Sequence, residues 1–436
     1  MADPKQIALR IFHETLASID IPLAMERRVA RSGSRIYVDD WSCEFGKFSD
    51  VRVVALGKAA HAMLSGFAQL FSDLRFTGVA SAPTPPAHPL PDISYFVGGH
   101  PLPNEQSFLA AQAALTLLRG SSQNSLVVFL LSGGGSALME SPLDPRQSLE
   151  DVRSLNQLLV TCGASIEEIN AIRKHASAIK GGRLAVAAAG ATKLTLAISD
   201  VPQGKESALA SGPTIPDPTT CADVLRILDA YHLREKLPAS LRDWFTRADL
   251  PETPKRNHSA FANSCFSLLL TSHDLFHAAH HAAESEGFLT WCDNSTDDWP
   301  LERAADFLLS QLEELRRANP GQRVALISDG EVSSAVTGQG IGGRNSAFVL
   351  ACVEKIAGKP VTVLSAGTDG IDGSSPAAGA VADGSTLSRA KTQQLSPREF
   401  FARSDSFSFF QQLGDAIVTG PTGNNLRDLR IFLAQP

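Results

Sequence analysis

The sequence predicts a two-domain α/β protein whose N-terminal half forms a doubly wound parallel sheet. Three observations lead to this fold class. Short runs of apolar and β-branched residues alternate with longer helical patterns along most of the chain. Glycine-rich turns follow several of these runs. The chain has 436 residues, of which 43% are hydrophobic, so it can bury more than one sizeable core.

Strand-like segments alternate with helices through the first half. They are VRVVALG, SYFVGG, SLVVFLL and KLTLAIS, at residues 51–57, 94–99, 125–131 and 193–199. Continuous apolar runs of this length indicate strands that are covered on both faces, as in a parallel sheet. Residues 1–40 precede them and read mostly as helix. We therefore expect a Rossmann-like domain over residues 1–250.

The alternation continues in the second half. RVALIS and PVTVLS, at 323–328 and 360–365, read as further strands, and VSSAV after the first of them as another. The segment PETPKRNHS, at 251–259, has the composition of a linker. We place the domain boundary there and expect a smaller α/β domain over residues 251–436. Its C-terminal segment could pack back on the first domain.

Composition excludes several classes of function. The formal net charge is −7, from 39 basic and 46 acidic residues, which is the wrong sign for a general nucleic-acid binder or a polybasic membrane protein. No apolar run approaches the ~20 residues that a membrane span needs, and the N-terminus lacks the apolar core of a signal peptide. The six cysteines form no CxxC pair, so we expect reduced thiols. We predict a cytoplasmic protein that acts on a small molecule.

Glycine and lysine at predicted strand ends point to an anion site. Lys58 follows the first strand, and His100 ends the second. The turn in LLSGGGSALM consists of Ser132, Gly133, Gly134, Gly135 and Ser136. Converging backbone N–H groups in such a turn can bind a phosphate. The alternative is a tight turn that binds nothing.

Two further basic segments favour the same chemistry. Arg344 and Asn345 follow a pair of glycines in GQGIGGRNSAF, and the planar guanidinium suits bidentate binding of a phosphate or carboxylate. Lys180 belongs to a basic cluster in NAIRKHASAIKGGRLA. For any single residue of this cluster, a solvent-exposed cation on a helix face is the simpler explanation. Together they favour an anion site nearby.

Carboxylates also follow the predicted strands. Asp200 comes directly after KLTLAIS, and Asp369 and Asp372 lie in the glycine-rich stretch after PVTVLS. Aspartate beside glycine is ordinary turn chemistry. Several carboxylates at the carboxyl ends of strands could also hold Mg²⁺ for phosphoryl transfer with few protein ligands. These three residues are therefore the candidate metal ligands.

Several motifs occur in one fixed order and together resemble the class II glycerate kinase family, whose C-terminal portion is called MOFRL. The resemblance runs from about residue 5 to 433. The motifs that carry it are ALGKAA, GGHPLPNE, LLSGGGSALM, IRKHASAIKGGRLA, ISDVPQG with ASGPTIPDPTT, GGRN and LSAGTDGIDGSSPAAGA.

The resemblance implies an ATP- and Mg²⁺-dependent kinase that phosphorylates D-glycerate at the 2-hydroxyl to give 2-phosphoglycerate. It also implies two α/β domains with the active site in the cleft between them. The family's active-site lysine and arginine correspond to Lys58 and Arg344, and its SDVP aspartate to Asp200. In the remaining motifs, Lys180, Asn345, Gly367 and Thr368 are candidate nucleotide contacts, like the turn at 132–136. We expect a monomer or homodimer.

Three motifs depart from the family pattern. SDVP is followed by Gln203, Gly204 and Lys205, where the family commonly has Gly-Asp-Asp. ISDGE has Asp329 where the family usually has glycine, and GGRNSA has Ser346 and Ala347 where the family usually has Gln and Glu. These departures leave the acceptor open among small hydroxy acids. They also keep open a non-catalytic sugar-acid-binding protein. A nicotinamide-dependent hydroxypyruvate reductase is a further alternative, but the first strand is not followed by the GxGxxG that it would need.

Overall fold

The chain divides into two compact units in the computed structural model, which describes residues 3–201 and 204–436. The central unit covers Ile21–Leu269. The terminal unit combines the N-terminal residues through Asp20 with Leu270–Pro436. Pro202 and Gln203, in the ISDVPQG motif, lie outside the described residues.

Helices and strands are numbered along the chain. The α-helices are α1 (Pro4–Ser18), α2 (Ile21–Arg28), α3 (Ala60–Leu70), α4 (Glu105–Arg119), α5 (Gly135–Leu138), α6 (Leu149–Thr161), α7 (Ile166–Ala176), α8 (Arg183–Ala187), α9 (Cys221–Ala230), α10 (Ala239–Phe245), α11 (Ser272–Ser285), α12 (Leu301–Ala318), α13 (Arg344–Val353), α14 (Thr386–Thr392), α15 (Pro397–Ala402) and α16 (Ser406–Leu413). The strands are β1 (Val29–Ser32), β2 (Arg35–Val38), β3 (Trp41–Glu44), β4 (Asp50–Leu56), β5 (Thr77–Ala82), β6 (Ile93–Val97), β7 (Ser125–Leu131), β8 (Thr192–Ser199), β9 (Ser264–Thr271), β10 (Leu289–Asp293), β11 (Val324–Asp329), β12 (Val361–Gly367), β13 (Gly379–Asp383), β14 (Ala416–Ile417) and β15 (Asp428–Ala434). None of these helices is long and apolar enough to cross a membrane.

The main sheet of the central unit has the strand order of a doubly wound fold. Its strands lie in the order β6-β5-β4-β7-β8-β9, and β6, β5, β4, β7 and β8 run parallel to their neighbours. Counted from β4, this is the order 3-2-1-4-5-6. The chain therefore leaves β4 toward one edge and returns through β7 on the other side. Ligands collect at such a switch point, outside the carboxyl ends of the strands.

The sheet is buried on both faces, as the apolar runs predicted. Val53 and Val54 are successive residues of β4 that point to opposite faces, and both are fully buried. Val54 packs in one core cluster with Ala114 and Leu118 of α4. Helix α3 contacts β4, β5 and β7. A separate core, built from α6, α7, α9 and α10, includes Leu159, Ile172 and Leu228 together with their neighbours.

The terminal unit contains a mixed sheet. Its strands lie in the order β10-β11-β15-β12-β13-β14, and β10 and β11 are parallel. The other neighbouring pairs are antiparallel. The last strand, β15, inserts between β11 and β12 and runs in the opposite direction to both. Helices α12 and α13 share a core cluster with β11, β12 and β15. Helix α1 lies against α11, β12, β13 and β15.

The division into units differs from the boundary that we predicted between residues 250 and 251. Strand β9 extends the central sheet beside β8, so the central unit continues to Leu269. Helix α1 buries Ile11 and Phe12 in the terminal unit, where Asn424 Nδ2 donates to the carbonyl oxygen of Ile19 at 2.7 Å. The C-terminal strand belongs to the terminal sheet.

Two local predictions were also wrong. Residues 29–44 form the antiparallel sheet β1-β2-β3 instead of continuing the N-terminal helix. Residues 332–336 form no strand; Ser333 makes only an isolated bridge to Pro300. In both places the β-branched residues are few and polar residues interrupt the apolar pattern. The periodicity therefore does not distinguish a strand from a helix or a loop.

Candidate functional site

Lys58 lies at the switch point of the central sheet. Strands β4 and β7 are neighbours, and the Lys58 N–H donates to the carbonyl oxygen of Gly133 at 2.9 Å. Gly57 precedes it with φ +123°, and a Cβ at that position would lie 2.2 Å from Ser132 Oγ. The turns after β4 and β7 therefore approach each other so closely that only glycine fits between them.

Ser132 and Gly134 have different roles in the SGGGS turn. Ser132 is fully buried, and its Oγ accepts the N–H of Ala59 at 3.0 Å, so this hydroxyl holds the Lys58 turn in place. Gly134 is partly exposed, with φ +80°. A Cβ at Gly134 would lie 3.2 Å from Lys58 Cγ and 3.3 Å from His100 Nε2. The side chains of Lys58 and His100 thus flank bare backbone, which is what a phosphate needs for a close approach.

Ser136 is held by an internal hydrogen-bond chain. Its Oγ lies 2.7 Å from Ser211 Oγ, which donates to Asn170 Oδ1 at 3.0 Å. The helix that we predicted to begin here is the single turn α5. Gly135 is buried, and a Cβ there would lie 2.7 Å from Ala210 Cβ. The second half of the turn is therefore packed against the segment around 210, and Gly134 is its most accessible glycine.

Lys180 does not have the placement of a nucleotide ligand. It is 1% exposed, and its Nζ forms an ion pair with Glu140. Glu140 also accepts the Ser177 hydroxyl at 2.6 Å and the Ser141 N–H at 2.9 Å. Burial lowers the pKa of Lys180 although Glu140 opposes the shift. The basic segment 172–185 thus includes an internal ion pair, which the sequence alone could not show because Glu140 lies 40 positions away.

Asp200 follows β8 at the same carboxyl edge of the sheet as the SGGGS turn. Strands β7 and β8 pair in parallel register, with Leu131 opposite Ala197, so both chains leave the sheet at its carboxyl edge. Asp200 is partly exposed. Its position is therefore compatible with the predicted contact to a substrate hydroxyl or a metal ion.

Arg344 lies at the first turn of α13, between two carboxylates. Its Nε donates to Asp428 Oδ2 at 2.5 Å, and Nη1 donates to Glu331 Oε2 at 2.7 Å. Burial opposes the charge of Arg344, but Asp428 and then Glu331 outweigh it and raise its pKa. The Asp428 side chain is 4% exposed and that of Glu331 48%. If Asp428 were displaced from Arg344, its buried carboxylate would lose its cation, whereas the half-exposed Glu331 can be solvated by water. An incoming anion would therefore replace Glu331 on Arg344.

Asp372 and Asn345 hold the start of α13 and have no accessible ligand atoms. Asp372 is 1% exposed, and its carboxylate accepts the N–H groups of Asn345 and Ser346, both at 2.9 Å, and the Ser346 hydroxyl at 2.5 Å. Burial raises the pKa of Asp372. Asn345 is 2% exposed and accepts the Ser365 hydroxyl at 2.6 Å. Asp372 and Asn345 therefore position Arg344. This role differs from the predictions, which made Asp372 a metal ligand and Asn345 a nucleotide contact.

Gly367 and Thr368 close the carboxyl end of β12. Thr368 is 1% exposed, and its N–H and hydroxyl both donate to the carbonyl oxygen of Arg427. A Cβ at Gly367 would lie 3.0 Å from Asp369 Oδ1. Asp369 is partly exposed. Of the predicted ligands in this stretch, Asp369 is therefore the one accessible to a metal ion.

Two of the family departures lie in different parts of the terminal unit. Ser346 of the GGRNSA motif is buried, and its Oγ lies 2.8 Å from Ser406 Oγ, so it helps to anchor the start of α13. Asp329 is 1% exposed, and neither of its oxygens has a hydrogen-bond partner. The Nη1 atom of Arg427 lies 3.9 Å away, and Arg427 also forms an ion pair with Asp297. Burial, opposed by Arg427, raises the pKa of Asp329 to about 6.

Replacing Asp329 by asparagine is expected to stabilise the protein at neutral pH. The folded pKa of about 6 exceeds the unfolded value of roughly 3.9, so between these pH values the native state keeps a proton that the unfolded state releases. Above about pH 6 the native state has to hold a buried charge, and Asp329→Asn removes that cost. Stability contributed by this group is present below about pH 4 and is lost as the pH rises to about 6. Urea unfolding should show a gain of about 2 kcal/mol at pH 8 that falls below about 1 kcal/mol near pH 4.5.

Asp306→Asn is the matched control for this prediction. Asp306 forms a surface ion pair with Lys355 in the same unit, and its side chain is 68% exposed. We expect a change of less than about 0.5 kcal/mol at either pH. If Asp329→Asn were instead less stable than the parent at pH 8, the attraction of Arg427 would outweigh burial.

Sequence reasoning missed the partners of the site residues. Asp428, which orients Arg344, is a single acid at the start of a strand, and Glu140, which neutralises Lys180, follows a predicted helix. Nothing in their local pattern distinguishes them from ordinary surface acids. Both are 40 or more positions from their partners, so only the tertiary fold reveals them.

Comparison with known proteins assigns the chain to a family. Residues 7–246 match the family described as "Domain of unknown function (DUF4147)", and residues 324–428 match the MOFRL family. The chain is 34% identical to a glycerate 2-kinase of Pyrococcus horikoshii, over 99% of this chain and 97% of that protein. The chain belongs to the class II glycerate kinase family. This assignment confirms the resemblance seen in the motifs.

Two further comparisons agree with this family. A D-glycerate 2-kinase of Thermotoga maritima is 35% identical over 88% of this chain and 90% of that protein. A solved structure of a glycerate kinase from the same organism superposes with a TM-score of 0.83 and 32% identity, covering 99% of each chain. The likeness to this glycerate kinase confirms the α/β fold, with a parallel and a mixed sheet.

Proposed function

We propose that the chain is an ATP-dependent kinase that phosphorylates D-glycerate at the 2-hydroxyl to give 2-phosphoglycerate. The observation that carries the proposal is the position of Lys58 beside the bare backbone of Gly134 at the switch point of the central sheet. A cation next to exposed glycine is suited to the phosphates of a nucleotide. The names of the relatives from P. horikoshii and T. maritima support the choice of substrate.

Catalysis of phosphoryl transfer consists mainly of positioning and charge stabilisation. Lys58 neutralises negative charge on the transferring group, and Gly134 allows its close approach. The glycerate carboxylate takes the place of Glu331 on Arg344, while Asp428 keeps the guanidinium oriented. Asp200 orients the 2-hydroxyl or accepts its proton.

The accessible carboxylates fit Mg²⁺ better than the buried one. Mg²⁺ commonly takes one or two carboxylates and keeps water and phosphate oxygens as its other ligands. Asp200 and Asp369 are partly exposed and could supply such a ligand, whereas Asp372 is buried and occupied by the start of α13. When bound, Mg²⁺ would neutralise charge on the phosphate oxygens.

A panel of three- and four-carbon hydroxy acids with ATP and Mg²⁺ tests the proposal. We expect ADP formation with D-glycerate, measured in a coupled assay, and phosphorus NMR should identify the product as the 2-phosphate. ADP formation no higher than in the acceptor-free blank with every acid would contradict a kinase. If calorimetry then showed glycerate binding, it would favour the non-catalytic alternative, and NADH oxidation with hydroxypyruvate would favour the reductase.

A further inference from the structure

A cluster of potential metal ligands lies in the central unit, outside the residues assigned to phosphoryl transfer. His175 of α7, Cys221 at the start of α9 and Glu252 each offer one ligand atom, and these atoms lie within 4.8 Å of one another. Within residues 3–201 and 204–436, no other group of at least three His, Cys, Asp or Glu side chains has this geometry. The three residues come from segments that are distant in the chain.

The imidazole of His175 has a buried lone pair without a hydrogen-bond donor. Its Nδ1 lies 2.8 Å from the carbonyl oxygen of Ala171, and because a carbonyl only accepts, Nδ1 carries the proton. Nε2 therefore carries the lone pair. His175 is fully buried and Nε2 has no hydrogen-bond partner; the nearest Glu252 oxygen is 3.5 Å away. This is the orientation in which a backbone carbonyl fixes a metal-binding histidine.

The other two side chains are arranged around that lone pair. The Glu252 Oε1 atom accepts the N–H of Cys221 at 2.9 Å, which leaves Oε2 toward His175. Cys221 is the first residue of α9, and its thiol donates to the carbonyl oxygen of Leu250 at 3.4 Å. Burial and then Glu252 raise the pKa of this thiol to about 11, so a bound metal ion would have to displace its proton. Nitrogen, sulfur and carboxylate oxygen are thus available together.

Two cations nearby limit the affinity without blocking the cluster. The Lys255 Nζ atom lies 3.0 Å from Glu252 Oε2, and Arg183 donates to the Glu252 carbonyl oxygen at 3.5 Å. Lys255 also donates to Thr253 Oγ1 at 2.8 Å and to the Thr219 carbonyl oxygen, so it keeps partners if Oε2 binds a metal. The Cys221 thiol would lose its proton to solvent on binding.

We propose that His175, Cys221 and Glu252 bind a thiophilic divalent ion, preferably Zn²⁺, with water as the fourth ligand. Imidazole and thiolate select zinc over Mg²⁺, which prefers oxygen ligands. The ion ties α7, the start of α9 and the loop around residue 252 together. This site is additional to the Mg²⁺ that the proposed kinase reaction would use, and it does not depend on that reaction.

Cobalt binding to metal-free protein tests the site, because Co²⁺ reports thiolate ligation by a charge-transfer band in the near ultraviolet. We expect one Co²⁺ per chain with this band, and its displacement by Zn²⁺. Cys221→Ser should abolish the band. Cys292→Ser is the matched control, since Cys292 Sγ lies 3.6 Å from His280 Nδ1 elsewhere in the chain. Loss of the band in Cys292→Ser but not in Cys221→Ser would overturn the proposal.

Two further measurements separate this site from weak surface binding. Lys255→Met removes the ammonium that competes for Glu252, so zinc should bind about tenfold more tightly. At about 100 times its dissociation constant, zinc should raise Tm by about 5 °C in the parent and not in Cys221→Ser. Cobalt binding without a thiolate band, for example at the His273–His277 pair, would contradict the proposal.

Discussion

Replacing Arg344 by alanine is expected to lower kcat with D-glycerate by about 10³-fold, because one well-placed arginine contributes that much to phosphoryl transfer. The side chain presents two edges of its guanidinium to Asp428 and Glu331, and only Glu331 is half exposed. Arg344→Lys keeps the charge but loses this planar fork, so we expect an intermediate loss of about 10–100-fold. Initial rates of ADP formation at saturating ATP measure both variants.

Arg344→Ala also leaves the buried carboxylate of Asp428 without its cation, so stability has to be measured with activity. Circular dichroism melting identifies a variant that fails to fold, and added guanidinium should restore part of the activity of a folded one. Arg398→Ala is the matched control, because the Arg398 side chain is 83% exposed in the same unit and forms a surface ion pair with Glu354. A loss of under about tenfold for folded Arg344→Ala would remove Arg344 from the chemistry.

Replacing Lys58 by methionine is expected to lower kcat by about 10²–10³-fold with little change in stability. Methionine keeps most of the stem that lies against Gly134. It removes the charge that faces the transferring phosphate in the proposed mechanism. Because the charge acts mainly in the transition state, kcat should fall more than the KM for ATP rises. The two constants are separated by varying ATP at saturating glycerate.

Lys236→Met is the control for Lys58, since Lys236 is an exposed lysine of the same unit. Its kinetic constants should match those of the parent. A Lys58 variant whose KM for ATP rises while kcat stays within about tenfold would show that Lys58 only binds the nucleotide. A fall in kcat together with an equal rise in the KM for ATP would indicate that Lys58 contributes to both nucleotide binding and catalysis.

The sequence predicted those parts of the fold that rest on strong local patterns. Strands β4, β7 and β8 are continuous apolar runs, and their positions in the parallel sheet follow from that pattern. Strand β5, with the sequence TGVASA, is made mostly of small residues and has no comparable signal. Strand β9 was overlooked because it follows a segment with the composition of a linker.

In the candidate site, the sequence indicated the arrangement of the turns and not the buried polar contacts. Lys58 and Gly134 follow from a lysine and glycines at strand ends. Asp372 and Lys180 were assigned to ligands because a carboxylate or an ammonium in a loop or helix looks available until its partner is known. Their partners lie 27 and 40 positions away, which no local pattern can show.

Helix α1 belongs to the terminal unit although the next 249 residues, from Ile21 to Leu269, form the central one. During synthesis on the ribosome, α1 emerges before the central unit and must therefore wait for α11, β12, β13 and β15, which follow that unit in the chain. The central unit is continuous and can fold in the meantime. Ile11 and Phe12 remain uncovered on the nascent chain while the central unit is made, so this helix is the segment that a chaperone would need to shield.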